Sequence, residues 1–171
     1  MNIAILSVSE KGNILSSKLK KLLDNDPTVI KIDTFYKNVK SNINNIFDEN
    51  NEEDNNSHFR KHDAIIGIMA TRIFVRAISP KIQSKDIDPA VLSIDDNGKF
   101  VISLLSGHLG GANELTLKIA TLINAEPVIT TSTDINNKIG IDSLSNKYHW
   151  EIINKKEILN FNKQILEEKT D

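Results

Sequence analysis

The strongest constraint on the fold is a set of apolar runs too short for a helix and too continuous for a half-exposed strand. "NIAILSV" (residues 2–8) and "DAIIGIMA" (residues 63–70) are rich in Ile, Leu and Ala with no polar alternation. Runs of this kind read as strands buried on both faces, as in parallel sheets. The period then changes after each run. Behind Ser9, a candidate N-cap, Ile14, Leu15, Leu19, Leu22 and Leu23 recur at helical spacing. "DNDP" ends that helix and "TVIKIDTF" alternates like a strand, completing a βαβ unit. After the second run, Thr71 is placed to cap a helix through "TRIFVRAISPKI", with a break near Ser79 and Pro80.

"PAVLSIDDNGKFVISLL" predicts a hairpin: two β-rich runs around Asp96-Asn97-Gly98, with Asp95 and Asp96 serving turn geometry. A helix is expected over residues 112–124, then a last strand with a polar end in "EPVITTSTD", then one or two charged helices. Strands alternating with helices predict an α/β fold. It is a three-layer α/β/α arrangement with a largely parallel sheet plus a β-hairpin, followed by a small helical C-terminal segment. The α/β domain is expected to span residues 1–135 and the helical segment residues 136–171. Residues 38–57, rich in Asn and acids, bury too little apolar surface to offset ordering; they read as a short helix near Ile43 and Phe47 and then an acidic loop.

Length and composition narrow the function classes. A chain of 171 residues suits one domain with a small appendage and hides roughly 70% of its unfolded surface. A formal net charge of -2 argues against nucleic acid as a bulk electrostatic partner. No window approaches the ~20 apolar residues of a membrane span, and the opening residues lack a basic leader, so a cytoplasmic location is expected. With no cysteine there is no disulfide, thiolate nucleophile or cysteine metal site.

Polar residues cluster where strands are expected to end: Ser7 and Ser9; Ala70, Thr71 and Arg72; residues 106–111 ("SGHLGG"); and residues 130–134 ("TTSTD"). Ligands in open α/β sheets bind beyond the carboxyl ends of strands. These four ends are therefore expected to converge on one edge. Gly107, Gly110 and Gly111 permit close backbone approach before a helix N-terminus, a site for an anion. The spacing matches neither GxGxxG nor a Walker loop. Ser106 and His108 invite a nucleophile–base reading, but Ser106 is not on a G-x-S-x-G elbow. His108 is better read as a general acid or base, or as a substrate contact. His58 and His62 are i,i+4 beside the acidic loop, a poor metal site, and none is expected. Arg72 and Arg76, also i,i+4, suit carboxylate recognition or surface ion pairs. Asp134 either caps a turn or touches substrate.

The run from "IMATRIFVRAISPKI" through "DPAVLSIDDNGKFVISLLSGHLGGAN" to "PVITTSTD" resembles the CbiG family, the cobalt-precorrin-5A hydrolases of anaerobic cobalamin biosynthesis. The similarity runs from Asp63 to about Asp142. It departs at Arg72, where the family usually has glycine. The resemblance implies an enzyme that opens the ring-A δ-lactone of a cobalt corrinoid and releases acetaldehyde to give cobalt-precorrin-5B. It also implies that residues 136–171 begin the family's middle region, and that a further C-terminal domain, or a separate subunit carrying it, is a partner. The cobalt belongs to the substrate, so no cofactor of the protein's own is expected. The alternative is a non-catalytic corrinoid-binding module. For the lactone chemistry His108 is the first candidate base, with Glu114 and Asp134 behind it, and the N–H groups of Gly110 and Gly111 are candidate oxyanion donors. Thr71, Arg72, Arg76, Ser106, Gly107, Gly110, Gly111, Asn113, Thr130 and Thr131 are the candidate substrate contacts. Whether His108 moves a proton, touches the substrate's cobalt or shapes the turn stays open at this point.

Overall fold

The computed structural model describes residues 1–36, 59, 61–84, 87–108, 110–132, 140–148 and 150–167. Strands β1 (Asn2–Ser7), β2 (Lys31–Tyr36), β3 (Ala64–Ile68), β4 (Ala90–Ile94), β5 (Phe100–Leu105) and β6 (Glu126–Val128) form one sheet in the order β2-β1-β3-β4-β5-β6. The first four in that order run parallel. The hairpin then reverses the chain, so β5 is antiparallel to β4 and β6 is parallel to β5. The expected α/β fold with a largely parallel sheet and a hairpin is what forms.

Helices α1 (Glu10–Leu23) and α3 (Ala112–Ile123) pack on one face of the sheet, and α2 (Thr71–Ile78) packs on the other. Strand alternation divides the core accordingly. Ile3, Ile5, Ile66, Ile68, Leu92 and Ile94 meet Leu19, Leu23, Leu115 and Ile119 on the first face. Ala4, Leu6, Ile65 and Val91 meet Phe74, Ala77, Ile78 and Phe59 on the second. β1, β3 and β4 are buried on both sides, which is why their sequences do not alternate. Each fully buried Ile or Leu contributes about 1.5–3 kcal/mol relative to exposure.

Local signals set the boundaries. Ser9 caps α1, its Oγ accepting from the Gly12 N–H at 2.9 Å. Thr71 does not cap α2 as expected. Ala70 holds the cap position without a side-chain bond, and the Thr71 hydroxyl pairs with that of Ser93 at 3.0 Å. Pro80 stops α2, and a single 3-10 turn (Ser79–Lys81) follows. In the hairpin, the Asp95 carboxylate accepts from the N–H groups of Asn97, Lys99 and Phe100. α3 ends on Asn124 in the left-handed conformation (φ +56), where the N–H of Ala125 reaches back to the Ala120 carbonyl. The expected last strand is only Glu126–Val128.

The α1–β2 connection is tied to α3 by the Lys118 ammonium, which bonds Asp26 and also the Thr28 hydroxyl at 3.1 Å. That ammonium, then the Thr28 donors, hold the Asp26 carboxyl below the usual carboxylate range. On β2, Asp33 accepts from His62 Nε2 at 3.0 Å and from Lys31 at 3.0 Å, and its pKa is lowered, first by His62 and then by Lys31. The C-terminal segment consists of α4 (Ile141–Tyr148), a 3-10 turn (Lys155–Glu157) and α5 (Ile158–Glu167). It folds on itself: the Ile141 N–H donates to Asn162 Oδ1 at 2.9 Å, and Tyr148 stacks on Trp150. Among the described residues no helix is long and apolar enough to cross a membrane. The expected helix near Ile43 and the acidic loop lie outside the described residues.

Candidate functional site

The "SGHLGG" turn follows β5, and the end of β5 is reshaped by a bulge. Val91 faces Leu105 while the next residue, Leu92, faces Ser103, so Leu104 is the extra residue. Leu104 and Leu105 consequently both pack on the α2 side, and Ser103 points to the α3 side. Ser106 then takes the left-handed conformation at φ +56, and it is held from two directions. Its Oγ donates to the Asp88 carbonyl at 2.9 Å, and its own carbonyl accepts from the Ala112 N–H at 3.1 Å. The Asp88 carboxylate in turn accepts from the Gln83 N–H, clipping the loop before β4 onto the same turn. Gly110 passes so close to Ser106 that an added Cβ would overlap the serine Cβ and sit 2.8 Å from its carbonyl oxygen. Gly111 has φ +78 and open space around it, so there glycine answers to backbone conformation alone.

Asn113 is the second organising residue. It is 5% exposed, with Oδ1 accepting from Ser103 Oγ at 2.6 Å and Nδ2 donating to Thr131 Oγ1 at 3.1 Å. Its N–H donates to the Gly107 carbonyl at 3.0 Å, and a Cβ on Gly107 would stand 2.9 Å from Asn113 Oδ1. One buried amide therefore joins β5, the glycine turn and the loop after β6. His108 sits half-buried inside this frame, its carbonyl accepting from the Gly111 N–H at 3.0 Å.

The structure corrects three expectations. First, the four polar strand ends do not converge on one edge. Leu105 lies beside Val91 at the start of β4, so residues 106–111 and, through parallel β6, Thr130 and Thr131 share the edge where β1, β3 and β4 begin. Ser7, Ser9, Thr71 and Arg72 lie at the opposite edge, about 16 Å away along a five-residue strand. The reason is the hairpin, which reverses β5. Second, the start of α3 is not an open anion cradle: the N–H groups of Gly111, Ala112 and Asn113 are spent on the carbonyls of His108, Ser106 and Gly107. Gly110 keeps an N–H with no partner among the described residues. Third, the Ser106 hydroxyl is not a free nucleophile beside His108, because its proton is given to the Asp88 carbonyl.

Ser106, Gly107, His108, Gly110, Gly111, Asn113 and Thr131 are thus brought together, with Thr130 exposed beside them and Glu114 exposed on the first turn of α3. Arg72 and Arg76 are exposed on α2 and form no ion pair among the described residues. Asp134 and His58 lie outside the described residues. Sequence reading passed over Ser103 and Asp88. Ser103 is legible only through the bulge that turns it toward α3, and Asp88 reaches the turn through its main-chain carbonyl while its carboxylate holds Gln83. A shallow groove on the outer face of α1, lined by Asn13, Ile14, Ser17, Lys18, Lys21 and Leu22, is formed by one helix and gathers no convergent groups.

Known proteins resemble this chain in sequence and in fold. A family model described as Cobalamin synthesis G N-terminal matches residues 55–134, which contain the turn and its two supporting loops. A probable cobalt-precorrin-5A hydrolase of Methanocaldococcus jannaschii is 35% identical over 169 residues, covering 98% of this chain and 46% of that protein. The cobalt-precorrin-5A hydrolase of Salmonella typhimurium is 51% identical over 87 residues, 51% of this chain and 25% of the relative. That of Priestia megaterium is 45% identical over 94 residues, 55% of this chain and 25% of the relative. Among solved structures, a putative cobalamin biosynthesis protein G homolog from Sulfolobus solfataricus superposes with a TM-score of 0.54 at 28% identity, covering 99% of this chain and 47% of that one. The chain spans less than half the length of the curated relatives it matches. Residues 55–134 thus match the family's N-terminal model, and nearly the whole chain is similar in sequence and in fold to part of CbiG proteins.

Proposed function

We propose that this chain is the substrate-binding and base-carrying portion of a cobalt-precorrin-5A hydrolase. The observation that supports it is the frame around His108: three loops clipped by Asp88, Ser106, Gly107 and Asn113, within the region that matches the family. A turn this constrained holds one imidazole in place on an otherwise polar edge. His108 activates water against the ring-A lactone carbonyl, and the Gly110 N–H receives the developing oxyanion. Opening the ester leaves a carboxylate and an alcohol. Loss of the alcohol proton then lets the carbon–carbon bond to the ring break, acetaldehyde departing and the bonding electrons staying on the macrocycle. Glu114 and Thr130 are the further polar groups of this edge, and Asp134 stays a candidate by its place in the sequence alone. Arg72 and Arg76, beginning at the other edge, drop out of the site.

The second reading is a corrinoid-binding module. It is favoured by the spent N–H groups at the start of α3, which leave few backbone donors for a transition state. Incubation with cobalt-precorrin-5A, with acetaldehyde measured enzymatically, separates the two. Acetaldehyde formation that is lost in His108→Ala supports the hydrolase. A corrinoid spectral shift without acetaldehyde leaves the binding module, and neither signal overturns both.

A further inference from the structure

The edge that lost its expected partners has a site-like construction of its own. The β1–α1–β2 crossover leaves toward one face of the sheet and β3–α2–β4 toward the other, while β1 and β3 lie side by side. Their carboxyl ends therefore flank a topological switch point, where open α/β sheets receive ligands. Two helix N-termini open there. The N–H groups of Glu10 and Lys11 on α1, and of Thr71 and Arg72 on α2, have no hydrogen-bond partner among the described residues. Ala70 gives α2 no side-chain cap.

A separate observation points to a ligand. Ser7, the last residue of β1, is 1% exposed, yet its Oγ has no hydrogen-bond partner. Alternation along β1 puts Ser7 on the same face as Ile3 and Ile5, turned toward the first turn of α1. Gly12 presses that turn onto Ile68, the residue paired with Ser7, so the hydroxyl is directed at the gap between strand end and helix start. A buried hydroxyl left unbonded costs about 1–3 kcal/mol, and an acceptor placed there recovers it. Glu10 and Lys11 are exposed on the first turn of α1, and Arg72 is exposed on the first turn of α2.

We propose that the crevice between the ends of β1 and β3 is a second ligand site, which takes a small oxyanion on the first turns of α1 and α2 with the Ser7 hydroxyl as donor and Arg72 as its cation. It lies across the sheet from His108, so one ligand does not fill both. Phosphate and carboxylate share this chemistry, and the test distinguishes them.

The full chain, labelled with 15N, is titrated with sodium phosphate, with sodium acetate, and with sodium chloride at matched ionic strength. Expected are saturable amide shifts at Lys11, Thr71 and Arg72 in one oxyanion series, none in chloride, and still amides at Gly110. Saturation by phosphate alone assigns a phosphoryl ligand, and saturation by acetate assigns a carboxylate. Ser7→Ala and Arg72→Ala should each weaken binding about ten- to a hundredfold, the loss of one charge-assisted bond. Arg72 is exposed, so its variant tests the site even where Ser7→Ala disturbs folding. Shifts that stay linear, that equal those in chloride, or that centre on the glycine turn overturn the proposal. His108→Ala leaves the titration unchanged, so failure here and failure of the hydrolase reading are distinguishable.

Discussion

Gly107 and Asn113 should be energetically coupled, and the sign of the coupling follows from their geometry. Gly107 does not adopt a left-handed φ, so alanine there meets a steric obstacle only. Its Cβ would stand 2.9 Å from Asn113 Oδ1 and 3.2 Å from Cγ. The amide is pinned by Ser103 and Thr131 and must leave both to make room. Two hydrogen bonds of about 0.5–1.5 kcal/mol each are lost, offset by about 0.4–1 kcal/mol from the stiffer unfolded chain. Gly107→Ala should therefore destabilise by about 1–2 kcal/mol. Asn113→Ala removes the same two bonds and leaves a cavity, about 2–3 kcal/mol. In the double variant the bonds are lost once and the new methyl meets no amide. Its cost should match that of Asn113→Ala alone, a coupling of about 1 kcal/mol or more. Urea unfolding followed by far-ultraviolet circular dichroism measures all three. Additivity within about 0.5 kcal/mol would refute the reasoning, because independent sites behave that way.

The neighbouring glycines should separate by mechanism. Gly110→Ala drives a Cβ into Ser106 and should cost more than Gly111→Ala, which meets no atom and carries only left-handed strain of about 1–2 kcal/mol; equal losses in thermal melts would contradict this. In the acetaldehyde assay, His108→Ala should lower kcat with KM nearly unchanged, and a change confined to KM would make the residue a contact rather than a base. Asp33 has a lowered pKa, so its contribution is present above the ordinary Asp value of about 3.9 and is lost as pH falls through its folded value. Acid unfolding should therefore be shallower below about pH 4 in Asp33→Asn than in the parent, and identical acid limbs would sink that assignment.

Much of the fold is legible because local signals agree. The continuous apolar character of β1 and β3 announces burial on both faces, Ser9 marks the start of α1, and Asp96-Asn97-Gly98 marks the hairpin. The failures have physical reasons of their own. Thr71 looked like a cap, but the chain enters α2 one residue earlier and the hydroxyl is taken by Ser93 from another strand. The bulge at Leu104 redirects Ser103 without altering any pattern in the sequence. The direction of the "SGHLGG" end was available in principle: a two-run hairpin makes β5 antiparallel, which carries its end to the other edge.

Reversal of β5 also decides what kind of chemistry each edge can support. At the edge holding His108, α3 begins by satisfying its own first donors with the carbonyls of residues 106–108. That closure makes the turn rigid, but it removes most of the backbone N–H field that a helix N-terminus offers an anion. On the hydrolase reading proposed above, specificity and proton transfer there would rest on side chains, with His108 the proposed base. At the opposite edge Ser9 takes the Gly12 N–H and the Ala70 carbonyl that of Ile73, while the donors of Glu10, Lys11, Thr71 and Arg72 have no partner among the described residues, beside a buried hydroxyl. Rigid positioning and open donor capacity are thus separated by the length of a strand. The glycines of "SGHLGG" serve the first: they let the turn close on itself around the backbone of His108.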